Sequence, residues 1–206
     1  MLPLCAAMIS AILLAAGGSN RMGQPKQLML LGQSTIVATT IDSLLNSAVG
    51  EIIVVLGCKG EEIRKAIASR PVKIAMNPDY QEGMSTSVIA GLRQIDQRAK
   101  AVLIALGDQP FVDTQTINVL LEAFVASSRG IIIPTYRGRR GNPAIFDIKY
   151  EGELLNLKGD VGGRETVKRH PDDVLEVAVD CEGILLDVDS MEDYTSITLD
   201  LEKYKR

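Results

Sequence analysis

SAILLAAGGSNRMGQPKQ (residues 10–27) is an apolar run that breaks into glycines and then cations. Residues 11–16 are long enough for a buried strand, and Gly17 and Gly18 permit a tight turn whose bare backbone can approach a ligand closely. Backbone N–H groups in such a loop are neutral donors for phosphate oxygens, Arg21 adds a planar fork, and Lys26 adds a mobile charge. The segment itself contains no acidic residue, so the two cations mark an anion site rather than a plain surface turn. It is not a Walker A loop: Gly18 and Gly23 have the four-residue gap, but Gln24 and Pro25 stand where Lys and Ser or Thr should follow. The G-x-G-x-x-G of dinucleotide sites is missing as well.

With 206 residues, 46% of them hydrophobic, and a net charge of -4, the chain is sized for one globular domain with a sizeable core. Residues 1–206 are therefore expected to form a single domain. Mild acidity opposes broad contact with nucleic acid or anionic membranes, and 4% aromatic content leaves few surfaces for stacking bases; neither partner is expected. Cys5, Cys58 and Cys181 show no C-x-x-C spacing and His170 is the one histidine, which argues against a disulfide framework and against zinc. A reducing cytoplasm is the expected location. Residues 1–16 imitate a signal peptide in hydropathy but lack a basic n-region and run straight into the loop. Met8 stands just before the strand, so residues 1–8 read as a dispensable extension or an upstream start.

Further along, Ser34 reads as the N-cap of a helix carrying Ile36, Val37, Ile41, Leu44 and Leu45 and ending near Asn46. Residues 51–56 are a β-branched strand closed by Gly57, residues 60–68 a short helix, and residues 72–76 a third strand. This alternation predicts right-handed parallel crossovers and a Rossmann-like three-layer α/β/α domain with a mostly parallel sheet. In NPDYQEGMSTSVIAGL (residues 77–92), Gly83 and Ser85 precede a helix with Val88, Ile89 and Leu92 on one face. Small polar groups then stand at a helix N-terminus beyond a strand's carboxyl end, where α/β ligands bind; an ordinary cap is the alternative.

Residues 101–106 form a fourth strand that delivers Asp108, within GDQPF, to a place suited to a metal-bound nucleotide. Pro110 keeps a helix from starting there, so capping does not account for this carboxylate. Asp113 instead reads as the N-cap of the helix over TQTINVLLEAF. Residues 130–134 are a further strand, and RGRRGNPAIF (residues 137–146) is a basic turn leading into an extended segment. Residues 174–179 and 184–188 look like closing strands around a turn at 181–183. The second ends in DVDSMEDY, where Asp187 and Asp189 alternate with Val188. On an extended strand both carboxylates face one way and suit a hard cation, unless Asp189 or Ser190 only caps a following helix.

Residues 14–26 resemble the signature loop of nucleotidyltransferases, LAAGxSxRMGxxK, in the branch containing the molybdenum cofactor cytidylyltransferases. Leu14, Ala15, Ala16, Gly17, Ser19, Arg21, Met22, Gly23 and Lys26 all fall in register. The resemblance implies nucleotide contacts from Leu14, Ala15, Ala16, Gly17, Gly18, Ser19 and Lys26, and from Asn77, Gly83, Ser85 and Ser87 in the later segment. Gly141-Asn142-Pro143 resembles the motif before the strand that lines the acceptor pocket, which implies contacts from Asn142 and Pro143. GDVGGR (residues 159–164) is similar to the family's GDxGAR and adds Gly159, Asp160 and Arg164, with Gly163 where the family usually has alanine. DVDSMED resembles DIDTPED, with Ser190 and Met191 replacing Thr and Pro.

The implied reaction moves CMP from CTP to the phosphate of molybdopterin or its molybdenum form, with Arg21, Lys26 and Asp108 catalytic. Mg²⁺ would be held by Asp108 and by Asp187 or Asp189. A molybdoenzyme or its chaperone is the implied recipient of the product. The alternatives are a GTP-dependent or sugar-phosphate nucleotidyltransferase of the same fold and a carrier of the cofactor without chemistry; a dehydrogenase lacks its glycine pattern. The family's guanylyltransferases resemble LAGG at the loop entry, so LAAG here implies cytosine over guanine, with the Ala16 methyl as the discriminating group.

Overall fold

The computed structural model describes residues 8–18 and 22–199. The expectations for Ser19, Arg21, Cys5 and the first seven residues fall outside them. β1 (Ile9–Ala15) leads through the glycine loop and a 3₁₀ turn (Lys26–Leu28) to a small ribbon, β2 (Leu30–Leu31) and β3 (Ser34–Thr35). Helices and strands then alternate as α1 (Ile36–Leu45), β4 (Glu51–Leu56), α2 (Gly60–Ala66), β5 (Lys73–Met76), α3 (Met84–Leu92), β6 (Ala101–Leu106) and α4 (Thr114–Ala126). β7 (Ile131–Tyr136), β8 (Arg139–Arg140) and β9 (Ala144–Asp147) follow, then α5 (Glu151–Leu154), α6 (Arg164–Arg169), β10 (Val174–Ala178) and α7 (Met191–Leu199).

The main sheet has the order β10-β7-β9-β6-β1-β4-β5, with β8 paired to β7. β1 runs parallel to β4 and β6, β4 to β5, and β7 to β10, whereas β9 is antiparallel to both β6 and β7. β6 and β7 therefore share a direction, and the carboxyl ends of the parallel strands collect along one edge. This is the expected mostly parallel α/β/α architecture. Both faces of β1 are buried, as a parallel strand under two helix layers requires. Ala11, Leu13 and Ala15 pack with Val37 and Ile41 of α1 and Ile117 and Leu120 of α4. Ile12 and Ala16 pack on the other face with Val88 and Leu92 of α3, Phe146 and Val167. A third cluster of Met22, Met29, Leu31, Ile36, Val188 and Ile197 fastens the segment before α7 onto the ribbon beyond the glycine loop.

Strand ends shift by a residue or two from the sequence expectations, and larger differences occur around α1, α2 and the closing segment. Ser34 pairs with Leu31 in the ribbon, so Thr35 caps α1 instead, its hydroxyl accepting from Ala38 N at 3.3 Å. α2 stops at Ala66, short of Ala68. The closing strand expected over residues 184–188 does not form: Glu182–Leu185 is a 3₁₀ turn, and residues 186–189 join no sheet. Within that turn Gly183 lies so close to the Phe111 carbonyl that a Cβ there would collide with it, a contact made by a 3₁₀ turn packed on the β6–α4 loop rather than by a strand at the sheet edge. Asp113 caps α4 as expected, accepting from Thr116 N at 2.7 Å.

Candidate functional site

β1 and β6 are neighbours in the sheet, so the glycine loop and Gly107-Asp108 leave the same edge side by side. Gly107 N donates to Leu14 O at 2.9 Å, and a Cβ on Gly107 would lie 3.0 Å from both Leu14 O and Ala15 Cβ, so glycine is needed where the two strand ends touch. Lys26, on the 3₁₀ turn, returns toward this point. Its ammonium donates to Asp108 Oδ2 at 2.6 Å and to Asp189 Oδ1 at 2.7 Å. The acids missing from the loop's own sequence thus arrive from 82 and 163 residues away. Burial works to lower the Lys26 pKa, but the charges and hydrogen bonds of Asp108 and Asp189 outweigh it and hold the ammonium above its ordinary value.

A cavity of about 810 Å³ opens at this junction. Leu14, Ala16, Gly17 and Gly18 line one wall, Lys26, Asp108 and Asp189 the floor, and Gly83, Ser87 and Asp160 the facing rim. Cys58 and Tyr80, not anticipated from the sequence, line it too. A larger cleft of about 1000 Å³ between α1, α4 and the end of β10 is lined by Pro110, Phe111 and the α4 cap Asp113, but by none of the glycine-loop residues and by neither Lys26, Asp108 nor Asp189. The smaller cavity is the candidate site because the cation, the carboxylates and the glycine loop converge there.

Several expected contacts lie beneath or beside this cavity. Ala15 faces the opposite core. Asn77 is 3% exposed and holds its loop to α3, donating to Thr86 Oγ1 and Ser87 Oγ at 2.9 Å each while accepting from Asp79 N at 3.0 Å. Ser85 is buried in the first turn of α3, and its N–H donates to Gly159 O at 3.2 Å. Asp160 Oδ1 accepts from Met84 N at 3.2 Å, so the chain's own Gly159-Asp160 turn occupies the N-terminus of α3. Gly83, at φ 116°, is the residue that admits this turn, since a Cβ there would strike the Gly159 carbonyl. Arg164 is exposed at the start of α6 and does not line the cavity. Asn142 and Pro143 lie on another side: Asn142 N donates to Ile184 O at 3.0 Å, and Pro143 is buried beside Gln109.

The acidic pair meets different partners, and only Asp189 lines the cavity. Val188 is buried in the third cluster and its N–H donates to Asp108 O at 3.0 Å, so Asp187 and Asp189 flank Asp108. Asp189 meets Lys26, while Asp187 Oδ1 accepts from Gln109 Nε2 at 2.6 Å. Burial first, and the Asp108 charge second, push the Asp187 carboxyl above its usual range. Asp108 Oδ1 is buried with no hydrogen-bond partner. Among the described residues no three acidic, histidine or cysteine side chains converge as a preformed metal cage. Magnesium commonly takes only one or two carboxylates together with substrate phosphates, and an orphaned carboxylate oxygen beside a second carboxylate fits that demand. Sequence reasoning passed over two glutamines here. Gln27 is 3% exposed and its amide donates to Gly17 O at 3.1 Å, bracing the glycine loop, and Gln109 is 2% exposed. No helix among the described residues is long and apolar enough to cross a membrane.

Known proteins share this arrangement of elements. The chain is 29% identical over 187 residues to the molybdenum cofactor cytidylyltransferase of Escherichia coli (strain K12), which spans 90% of this chain and 93% of that protein. It is 28% identical over 193 residues to the nicotine blue oxidoreductase of Paenarthrobacter nicotinovorans, with 89% and 93% covered. The crystal structure of Rv0371c from Mycobacterium tuberculosis H37Rv superposes with a TM-score of 0.87 at 31% identity, covering 95% of this chain and 99% of that one. Rv0371c has also been solved in complex with manganese, with a TM-score of 0.81, 28% identity, and 95% and 100% covered. Residues 11–174 match the MobA-like NTP transferase domain, and the chain belongs to that nucleotidyltransferase family.

Proposed function

We propose that this protein transfers CMP from CTP to the phosphate of molybdopterin or its molybdenum form, releasing pyrophosphate. The observation that carries the reading is the Lys26 ammonium fixed between Asp108 and Asp189 beside a glycine loop, with Asp108 Oδ1 left unpartnered in a buried position. That is the equipment for a triphosphate and its counter-ion. The acceptor phosphate attacks the α-phosphate in line while Gly17, Gly18 and Ser19 hold the triphosphate through backbone donors. Lys26 and Arg21 offset the charge that grows on the transferring and leaving phosphates. No protein nucleophile is required. A phosphate acceptor is already largely ionised near pH 7, and His170 stands apart, its Nε2 2.8 Å from Glu153 Oε2.

Asp108 and Asp187 or Asp189 are the residues that would hold Mg²⁺. When bound, the metal supplies Lewis-acid charge and a template for the triphosphate oxygens. The manganese complex of Rv0371c supports a divalent cation in this fold. The likeness to the Escherichia coli cytidylyltransferase supports CTP and the molybdenum cofactor as substrates. In this reading Asp160, at the cavity, with Gly159 beside it, serves the acceptor, while Asn142, Pro143 and Arg164 stand away from the cavity and keep only the acceptor role that the resemblance implies. One domain in the cytoplasm carries the whole reaction, and a molybdoenzyme or its chaperone takes the product.

The test is a screen of the four nucleoside triphosphates with Mg²⁺, molybdopterin and pyrophosphate detection. CTP should give the fastest release, and turnover with none of them would favour a carrier of the cofactor. The likeness to nicotine blue oxidoreductase favours a second, redox reading. A nicotinamide absorbance change on incubation with a dye substrate, with no pyrophosphate formed, would establish that one instead.

A further inference from the structure

We infer that Gln109 is a positioning residue that holds the Asp187 carboxylate beside Asp108; this rests on the nucleotidyl-transfer reading above. Gln109 follows Asp108 directly and is 2% exposed. Its Nε2 donates to Asp187 Oδ1 at 2.6 Å and to Ile184 O at 3.3 Å. The same Ile184 carbonyl accepts from Asn142 N at 3.0 Å, so that carbonyl is where the end of β6, the segment before α7 and the turn before β9 meet. These three segments carry every non-loop residue proposed above for the cation, together with Asn142 of the acceptor set.

The other half of the amide explains why this is not ordinary core packing. Gln109 Oε1 is buried without a hydrogen-bond partner, and the small void beside this side chain is lined by Leu44, Ala105, Val112, Ile117 and Pro143 along with Thr40. Reversing the amide would turn its oxygen toward a carbonyl and a carboxylate, both acceptors, so the observed orientation is the one the surroundings permit. An unpaired buried carbonyl among aliphatic groups opposes folding. Methionine would fill the same volume without that cost. What glutamine alone provides here is two donors aimed at the acidic segment. Asp108 Oδ2 and Asp189 Oδ1 both face Lys26, whereas Asp187 Oδ1 faces Gln109. Gln109 therefore does for Asp187 what Lys26 does for Asp189, without adding a positive charge that would compete with a cation.

The experiment measures Mn²⁺ binding by electron paramagnetic resonance in the presence of CTP, together with Tm, for wild type and for Gln109→Met. Gln109→Met should weaken Mn²⁺ binding about 10-fold or more, in the range seen when a group that orients a metal ligand is removed. Its metal-free Tm should be unchanged or higher, because the orphan carbonyl is gone. Asp187→Asn should weaken Mn²⁺ binding as well, and adding Gln109→Met to it should change the affinity by less than about 2-fold, since the two act as one unit. A merely structural glutamine would instead lower Tm and leave the metal affinity alone, and that result overturns the inference. Additive losses in the double variant overturn it too. Should the methionine variant fail to fold, Gln109→Leu carries the same expectation. Wild type that binds no Mn²⁺ with CTP would overturn the metal reading and this role together. Tight wild-type binding unmoved by Gln109→Met would overturn this role alone.

Discussion

Replacing Lys26 with methionine separates the two parts this side chain plays, because it keeps most of the apolar stem and removes only the charge. In the folded protein the Lys26 side chain is 11% exposed and its ammonium contacts the carboxylates of Asp108 and Asp189, whose side chains are 22% and 39% exposed. Breaking a fully buried pair costs roughly 3–5 kcal/mol. Asp189 borders an open cavity and is partly screened, so about 1–3 kcal/mol is expected, or a few degrees of Tm for each kcal/mol in a chain of this size. The pH dependence has a definite sign. The folded pKa of Lys26 is raised above 10.5, so its contribution is complete below 10.5 and disappears as the pH climbs through the folded value. The stability gap between wild type and Lys26→Met should be constant from pH 7 to pH 9 and close only on the far alkaline side. Activity should fall much further than stability. Loss of a preorganised charge at the transferring phosphate is worth about 10²-fold or more in kcat/KM, measured as pyrophosphate release from CTP. A folded Lys26→Met variant with kcat/KM within a few-fold of wild type would refute the reasoning, and Lys26 would then be only a structural tie between Asp108 and Asp189.

The parts of this site that could be read in advance are those whose signals are local. The apolar run ending in Gly17, the turn proline after Asp108 and the cap at Asp113 each carry their reason within a few residues, and each element formed where expected. The partners of Lys26 could not be read that way, because attraction between groups 82 and 163 residues apart leaves no periodicity in the chain. Gln109 and Gln27 are a sharper case. A glutamine amide has neither charge nor a favoured motif position, so only the surrounding acceptors reveal its use. Alternation of polar and apolar residues before α7 correctly indicated that Asp187 and Asp189 flank a buried Val188, yet it misled about the strand. Alternation reports which way side chains point and says nothing of whether a neighbouring edge is within reach. Asn77 and Ser85 show the converse: the Asn77 amide is satisfied by its own loop and α3, and the Ser85 N–H by the Gly159 carbonyl.

Asp108→Asn should abolish Mg²⁺-dependent turnover, whereas Asp113→Ala should cost about 1 kcal/mol of stability and leave kcat/KM intact; Asp113 essential to turnover with Asp108 neutral would move the metal site. Gly163→Ala installs the family's usual alanine against the Phe146 ring, which a Cβ there would strike, so thermal denaturation should reveal a loss of about 1–3 kcal/mol. Recovery of that loss in a Gly163→Ala, Phe146→Leu double variant would tie the cost to the ring. The Asp173 carboxyl is held at about 2 by hydrogen bonds from Lys149 and then Tyr150, against an ordinary 3.8. Its stabilisation is therefore complete above 3.8 and lost as the pH falls toward 2, so the stability gap to Asp173→Asn should be constant at neutral pH and close across that acid window. A gap that persists at pH 2 would mean that Asp173 acts through packing. On the cytidylyl reading Ala16 helps to set base preference; it is 4% exposed, lines the cavity and packs in a cluster against which Tyr80 also packs. Its carbonyl accepts from Cys58 N at 3.1 Å, so the backbone here is anchored and cannot retreat from a larger base. On that reading the methyl group would take space that a purine needs, and a group of that size is worth about 1–3 kcal/mol, or roughly 10- to 200-fold in favour of CTP over GTP. Ala16→Gly should raise GTP use while leaving CTP turnover mostly intact. Competition assays in which the CTP to GTP ratio does not move would place specificity on the Tyr80 and Gly83 side of the cavity, and a wild type that prefers GTP would overturn the cytidylyl assignment itself.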